Sequence, residues 1–130
     1  MTNFSGELTV GDLMQRYVLV INKSATVQDA VNEMKILNVG SILVVDDNRA
    51  LVGIFSERDL LIRVVGAFRQ PADTPISDVM TRNVRSVTPS VTARDALKIL
   101  LSGNFRHLPV IDGNGKLEGV VSLKDIGKII

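Results

Sequence analysis

The sequence contains no cysteine and no tryptophan, and only 4% of its 130 residues are aromatic. Without cysteine there are no disulfide bonds, and with a single histidine we expect no zinc or iron site built from nitrogen and sulfur ligands. A formal net charge of +1 gives no electrostatic basis for binding nucleic acid or a membrane surface. No apolar run approaches the roughly 20 residues that cross a bilayer, and the first residues lack the pattern of a secretion signal. These absences favour a cytoplasmic protein with no metal site and no required cofactor.

Hydrophobic residues make up 45% of the chain, and because aromatics are few they are mainly valine, isoleucine and leucine. This length and composition suit one compact domain, or two small halves that share a core. Branched aliphatic residues favour buried strands that are covered by helices. We therefore expect an α+β fold.

The chain repeats itself at one fixed offset, the one that separates Asp59 from Asp125, and the two halves align without a gap. Self-similarity at a fixed offset indicates that one structural unit has been duplicated. The matched pairs include Asp12 and Asp78, Met14 and Met80, Thr26 and Thr92, Gly53 and Gly119, Ser56 and Ser122, and Asp59 and Asp125.

Each half has the same predicted order of elements, β-α-β-β-α. Strands at 18–21 and 84–87 precede amphipathic helices that begin at the caps Thr26 and Thr92. Two apolar runs joined by turn residues follow in each half, and a last helix begins at a serine. The hairpin turns are predicted at 46–49 and 112–115, and the last helices at Ser56 and Ser122.

The repeat predicts the organisation of the whole chain. Neither half is expected to be stable alone, so the two should pack face to face about a pseudo-twofold axis. Equivalent clefts between the halves would suit small ligands. The boundaries that we assign are an N-terminal extension at 1–9, a first repeat at 10–66, a linker at 67–75 and a second repeat at 76–130.

The duplicated Ser-x-x-Asp motif has two interpretations. A serine at an N-cap accepts the amide hydrogen of the third helical residue, where an acid favours the positive end of the helix, so the motif is ordinary helix-start chemistry. The threonine caps of the long helices have the same spacing, and we interpret them as structural. A carboxylate can also accept the vicinal hydroxyls of a ribose. The motif alone favours the cap and leaves the second interpretation open, in which Asp59 and Asp125 cap a helix and also offer a second oxygen to a sugar.

Several stretches in this order resemble a tandem pair of cystathionine β-synthase (CBS) domains, also called a Bateman module, over about residues 10 to 130. No single motif is decisive, and the likeness rests on their shared order and ungapped repetition. The stretches are Asp12-Leu-Met14, Asp78-Val-Met80-Thr81-Arg82, Asn104-Phe-Arg-His-Leu-Pro-Val-Ile-Asp112, Gly53-Ile-Phe-Ser-Glu-Arg-Asp59 and Gly119-Val-Val-Ser-Leu-Lys-Asp125.

The resemblance implies a non-catalytic regulatory module that binds AMP, ADP, ATP, NADH or S-adenosylmethionine in the clefts between the repeats. In the family the final aspartate of the motif holds the ribose hydroxyls, basic residues reach the phosphates, and adenine slots among apolar side chains. The corresponding residues are Asp59 and Asp125 with Ser56 and Ser122 for the ribose, Arg106, His107, Arg58 and Lys124 for phosphates, and Ile42 and Leu108 for adenine.

The two halves differ at the basic positions. Gly40-Ser41 occupies the place of Arg106-His107, so the first half lacks the basic pair. In the family each cleft draws on both repeats, which implies that Arg106 and His107 serve the Asp59 cleft. We therefore expect the Asp59 cleft to bind phosphate better, and the Asp125 cleft to be empty or to bind only the nucleoside.

The resemblance also implies a homodimer and a regulated partner protein, which the sequence does not identify. Apolar residues of the last helices are candidates for the dimer interface, although they are equally expected to complete the core. These candidates are Leu60, Leu61, Ile126 and Ile129.

Two other classes of function stay open. The main alternative is a structural dimerisation module whose clefts are vestigial. An enzyme that acts on nucleotides is weakly supported, because His107 lies in an apolar strand run rather than at a nucleophile elbow. Asp46-Asp47 is better explained as a solvated turn than as a metal pair, and Gly113-Asn-Gly115 as a hairpin turn than as a phosphate loop.

Overall fold

In the computed structural model, which describes residues 7–103 and 105–128, helices and strands alternate in the mixed α+β pattern expected from the sequence. Their order along the chain is α1 (Val10–Leu13), β1 (Val20–Asn22), α2 (Val27–Leu37), β2 (Ser41–Val45), β3 (Leu51–Ser56), α3 (Glu57–Asp59) continued by a π-helix (Leu60–Val65), 3₁₀ turns at Pro71–Asp73 and Ile76–Asp78, α4 (Ala93–Gly103), β4 (His107–Ile111), β5 (Leu117–Ser122) and α5 (Leu123–Gly127).

The chain divides into two compact units whose limits cut across the sequence repeat. Leu19–Val84 forms the continuous unit, and Met1–Val18 joins Arg85–Ile130 to form the split unit. Each repeat begins with a short helical element, α1 in the first and the 3₁₀ turn Ile76–Asp78 in the second. Each of these elements thus belongs to the same unit as the strands of the other repeat. Helix α1 is bound to the rest of the split unit by backbone hydrogen bonds, one of which runs from the Val10 N–H to the carbonyl of Val91 at 2.7 Å.

The continuous unit contains a three-stranded sheet in the order β1-β2-β3. Strand β1 runs parallel to β2 with Ile21 opposite Val44, and β2 runs antiparallel to β3 with Ser41 opposite Ser56. The parallel pair is joined through α2, which supplies the crossover that parallel strands require. The register places Ser56, the N-cap of α3, beside the start of β2.

Among the described residues of the split unit, two strands, β4 and β5, pair in the same antiparallel register, with His107 opposite Ser122. The predicted strand at 84–87 is wrong as a strand. It is reduced to one parallel bridge, in which Val87 donates to Pro109 at 3.0 Å and accepts from Ile111 at 2.8 Å.

Proline explains why this strand is shorter than its counterpart. In the continuous unit Lys23 extends the parallel pairing by donating its N–H to Val45 at 2.9 Å. The residue at the matching position in the split unit is Pro89, which has no N–H to donate. Pro109, on the strand opposite, lacks a donor as well. The same repeat therefore yields a strand in one unit and a single bridge in the other.

Local signals placed the long helices and the hairpin turns correctly. The hydroxyl oxygens of Thr26 and Thr92 each accept an N–H three residues on, at 3.1 Å in both caps. Asp46 accepts the amides of Asn48 and Ala50, and Asp112 accepts those of Asn114 and Lys116, at 2.8–3.0 Å. These aspartates are turn residues, as predicted.

Each unit has its own hydrophobic core, which fixes the last helix against the sheet. Phe55 and Val44 are fully buried in the continuous unit, as are Leu100, Leu108 and Val121 in the split unit. Within residues 7–103 and 105–128, no helix has the length and apolar character needed to cross a membrane.

Candidate functional site

The Ser-x-x-Asp motif of the continuous unit forms a complete capping box. The Ser56 hydroxyl oxygen accepts the Asp59 N–H at 3.2 Å, and the Ser56 N–H donates back to Asp59 Oδ2 at 3.0 Å. The Ser56 hydroxyl also lies 3.1 Å from Oδ2. Asp59 is only 5% exposed, so its carboxylate is held in one orientation beside the end of β3.

The other oxygen of Asp59, Oδ1, is contacted by two side chains that the sequence analysis did not single out. The hydroxyl of Thr81 donates to Oδ1 at 3.0 Å. The Nε atom of Arg63 forms an ion pair with the same oxygen at 3.7 Å. Oδ2 therefore serves the cap, and Oδ1 accepts a hydrogen bond from Thr81, which lies outside the cap.

The split unit repeats the box with a different second partner. Ser122 donates its N–H to Asp125 Oδ2 at 2.9 Å and accepts the Asp125 N–H at 3.0 Å. The side-chain amide of Gln15 donates to Asp125 Oδ1 at 3.1 Å. Burial alone would raise the pKa of Asp125, but the hydrogen bonds from Ser122 and Gln15, with the charge of Lys128, outweigh it and hold that pKa below its ordinary value.

Thr81 and Gln15 reach the two aspartates from equivalent backbone positions. Thr81 exchanges two backbone hydrogen bonds with Ile54, at 2.8 and 2.9 Å, and Gln15 does the same with Val120, at 2.8 and 3.0 Å. The offset of the sequence repeat relates these two positions, which follow the matched methionines directly. Residue type gives no sign of this equivalence, because one is a threonine and the other a glutamine, and the offset of the repeat is the signal that relates them.

Three of the four predicted phosphate-binding residues lie on the surface of the split unit, and the fourth, Arg58, is exposed on the continuous unit. Arg106, His107 and Lys124 are exposed, and His107 lies opposite Ser122 in the β4–β5 register. The carbonyl of Arg106 accepts the N–H of Leu123 at 3.1 Å, which brings the basic pair to the start of α5. Arg106 and Lys124 place two positive charges at this edge.

The matching edge of the continuous unit is different. The carbonyl of Gly40 accepts the N–H of Glu57 at 3.0 Å, in the same geometry as Arg106 and Leu123. A Cβ atom at Gly40 would lie 3.0 Å from Glu57 Oε1, so the glutamate carboxylate occupies the neighbourhood that Arg106 has in the other unit. Glu57 and the exposed Arg58 carry opposite charges, whereas Arg106 and Lys124 at the matching edge carry the same charge.

The predicted adenine-lining residues and several interface candidates are core residues. Ile42 is 2% exposed and Leu108 is fully buried, each in the core of its own unit. Ile126 is 2% exposed and completes the core of the split unit, and Leu60 packs against the other core. Leu61 is 65% exposed, whereas Ile129 lies outside the described residues.

The geometry supports hydrogen bonding to a polar ligand. An ionised carboxylate can accept about four hydrogen bonds. Among the described residues three donors reach Asp59, two at Oδ2 and one at Oδ1, which leaves Oδ1 with capacity to accept from a ligand hydroxyl. Within the same described ranges, no group of three or more metal-ligating side chains occurs.

Known proteins share both the sequence pattern and the fold. The sequence profile of the CBS domain matches residues 10–66 and again residues 76–130. An uncharacterized 17.7 kDa protein of Acidianus ambivalens is 39% identical over 121 residues, which are 93% of this chain and 72% of that protein. The CBS domain-containing protein CBSCBSPB2 of Arabidopsis thaliana is 39% identical over 125 residues, or 96% of this chain, but this chain spans only 23% of that longer protein.

Solved structures agree with these matches. The CBS-pair protein CBSX2 from Arabidopsis thaliana has a TM-score of 0.83 and 31% identity, over 95% of this chain and 94% of that chain. A crystal structure of CBSX2 in complex with AMP matches with a TM-score of 0.80 and 31% identity, over 94% of this chain and 95% of that chain. The resemblance stated from the sequence is thereby confirmed.

Proposed function

This chain belongs to the CBS domain family, and we propose that it is a non-catalytic regulatory module that binds an adenine nucleotide, AMP, ADP or ATP, with NADH and S-adenosylmethionine as further candidates. The observation that carries the proposal is the pair of buried aspartates, Asp59 and Asp125. Each accepts the N–H of its serine at Oδ2 and a side-chain hydrogen bond, from Thr81 or Gln15, at Oδ1. The AMP bound to the similar protein CBSX2 supports the same class of ligand.

We assign the recognition of each part of the ligand to different residues. Asp59 and Asp125 accept hydrogen bonds from ribose hydroxyls, with Ser56 and Ser122 fixing their orientation. Arg106, His107 and Lys124, with Arg58 on the other unit, supply positive charge for phosphates. The apolar side chains of Ile42 and Leu108 stay candidates for contact with adenine, which would require neighbouring side chains to move because both are buried.

A regulatory role requires that the ligand bind two states of the protein with different affinity. We propose that ligand binding changes how the module pairs with a second copy or with a regulated partner protein in the cytoplasm. Adenine nucleotides that report the energy state of the cell would then control this association.

The experiment that tests the proposal is thermal unfolding with adenosine, AMP, ADP, ATP, NADH, S-adenosylmethionine and GMP, each in the millimolar range. A ligand at 100 times its Kd adds about 2.7 kcal/mol and should raise the Tm by roughly 10 °C. The measurement is repeated on Asp59→Asn and Asp125→Asn. The expected result is a shift with at least one adenine ligand that one or both substitutions abolish.

Asp29→Asn is the matched control, because Asp29 forms the same capping box with Thr26 but is exposed and lies on the long helix α2. Its ligand-induced shift should equal that of the wild type. If no adenine ligand shifts the Tm, or if Asp29→Asn abolishes the shift as completely as the two site variants do, the aspartates are caps and the proposal is wrong.

A dimerisation module is the second candidate, and one observation favours it. The π-helical segment after Asp59 and the turn that follows it expose four apolar side chains, Leu61, Ile62, Val65 and Phe68, with exposures between 51% and 93%. A second copy of the chain is the occupant that we propose, because a net charge of +1 opposes self-association only weakly. Sedimentation should then show a dimer without ligand, and Leu61→Asp with Val65→Asp should make it a monomer.

A further inference from the structure

Arg63 connects the helix that carries Asp59 to the segment that carries Thr81. Its Nη1 atom donates to the carbonyl of Met80 at 2.9 Å and lies 3.4 Å from that of Val79. Its Nε atom lies 3.7 Å from Asp59 Oδ1. One guanidinium therefore contacts both the carboxylate and the backbone just before Thr81, which a planar fork of donors can do and an ammonium group cannot.

These contacts fix the position of the Thr81 hydroxyl relative to the Arg63 guanidinium, and both groups contact Asp59 Oδ1. Thr81 is held on β3 by its backbone bonds to Ile54, and its hydroxyl reaches Asp59 Oδ1 at 3.0 Å. Arg63 lies one turn after Asp59 in the π-helical segment Leu60–Val65. Its Nε atom, 3.7 Å from Oδ1, is too distant for a hydrogen bond, so it orients the carboxylate by charge and leaves Oδ1 able to accept.

The split unit offers a natural contrast. Asp125 has the same serine box and an equivalent donor from residue 15, but position 129, which matches Arg63 in the repeat, is isoleucine in the sequence. The positively charged residue that acts on Asp125 is Lys128, the adjacent position. The arginine is thus a property of the Asp59 site alone.

Resting on the proposed function, we infer that Arg63 is a positioning residue for ribose recognition at Asp59. It holds the carboxylate and the Thr81 hydroxyl at the separation that a ribose hydroxyl requires, and it does so through Asp59 and the Met80 carbonyl rather than by touching the ligand.

The test compares two probes that differ only at the sugar, adenosine and 2′,3′-dideoxyadenosine, by isothermal titration calorimetry on the whole chain. For Arg63→Met the affinity for adenosine should fall roughly 5- to 10-fold, the size of a lost contact between coupled neighbours. The affinity for dideoxyadenosine should stay unchanged, so the ratio of the two affinities falls by the same factor. A merely structural role would lower both affinities equally and leave the ratio unchanged.

Arg94→Met is the matched control, since Arg94 is an exposed arginine of the split unit whose Nη2 atom is paired with Glu7 Oε1 at 2.6 Å. It should leave both affinities unchanged. Arg63→Lys keeps the charge but not the fork, and should lower the ratio by an intermediate amount. It also provides the measurement if Arg63→Met unfolds below the working temperature.

The outcomes separate this inference from the function on which it rests. Wild-type protein that does not bind adenosine overturns the ribose-binding function and this inference with it. Wild-type binding that Asp59→Asn abolishes, together with an unchanged ratio in Arg63→Met and Arg63→Lys, overturns the inference alone.

Discussion

The continuous unit and the split unit have the same backbone frame and different surface chemistry. The antiparallel pairs β2–β3 and β4–β5 each have one shift of register, at equivalent positions of the repeat. A single residue, Thr81 on β3 and Gln15 on β5, forms an isolated bridge to the second strand of each pair. In each, a serine and an aspartate close the same capping box. The differences lie in the partner of Oδ1, in the arginine at position 63, and in the charges beside the box.

This comparison teaches which features the duplicated frame constrains. The capping box needs a hydroxyl side chain, an aspartate and a helix start, and both units supply them at the same position. The partner of Oδ1 needs only a side chain that can donate from positions 15 and 81, so an amide and a hydroxyl both satisfy it. The exposed edge is not constrained by packing, and there one unit has Arg106 where the other has Gly40.

The largest expected effect tests whether the frames are equivalent. A Cβ atom at Gly53 would lie 2.6 Å from Met80 Sδ and 2.8 Å from the Thr81 carbonyl, and one at Gly119 would lie 2.6 Å from the Gln15 carbonyl. Gly53→Ala and Gly119→Ala should each reduce the free energy of unfolding by about 1–3 kcal/mol, because the bridging residue is pushed away. Urea unfolding measures this, with Gly113→Ala, which meets no atom within 4 Å, as the control. A loss in one unit alone would show that the frames differ.

The second prediction concerns the caps. Ser56→Ala and Ser122→Ala each remove the acceptor of an aspartate N–H. Each should lower the free energy of unfolding by about 1 kcal/mol, measured by the same urea titration. The two losses should agree, because the box geometry is the same in both units. If neither substitution lowers stability, the box does not stabilise the helices.

The third prediction sharpens the difference in charge. Arg106→Gln removes a positive charge from the exposed edge of the split unit and should weaken AMP binding by about two- to fivefold, as expected for exposed charges. Glu57→Leu, which gives the other edge the residue found at position 123, should strengthen it. Adenosine, which has no phosphate, should bind both variants as it binds the wild type. Calorimetry at two salt concentrations checks the origin, since higher salt should reduce both effects.

The smallest expected effect concerns pH. In the folded protein the pKa of Asp125 lies below its ordinary value of 3.8. Ionised Asp125 therefore stabilises the folded protein at pH values above 3.8, and this contribution is lost as the pH falls through the pKa of the folded state. Gln15→Met removes the amide donor and should raise this pKa, so that the stability is lost at a higher pH. The carboxyl titration of Asp125 followed by carbon-13 NMR measures the change. An unchanged titration would mean that Gln15 does not stabilise the charged form.

Prediction from the sequence succeeded where a structure depends on nearby residues. The threonine caps, the Asp46 and Asp112 turns and the Ser-x-x-Asp boxes each join groups two to four residues apart, so residue type and spacing determine them. The strand at 84–87 was wrongly predicted because Pro109 and Pro89 lack the N–H groups that would extend the parallel pairing on either side of Val87. The residues Thr81, Gln15 and Arg63 were not predicted as partners of the aspartates, since nothing in their spacing shows which distant segment they meet.

The sequence by itself determined the α+β class, the repeated order of long helices and hairpins, and the two Ser-x-x-Asp capping boxes. These follow from hydrophobic periodicity, helix capping and the single offset of the repeat, which are readable along one dimension. Only the tertiary structure decided that the first helix of each repeat joins the strands of the other, that Ile126 is core rather than surface, and that Thr81 and Gln15 complete the carboxylate contacts. Such contacts join residues that are 22 to 110 positions apart, and the packing of whole units rather than local preference brings them together.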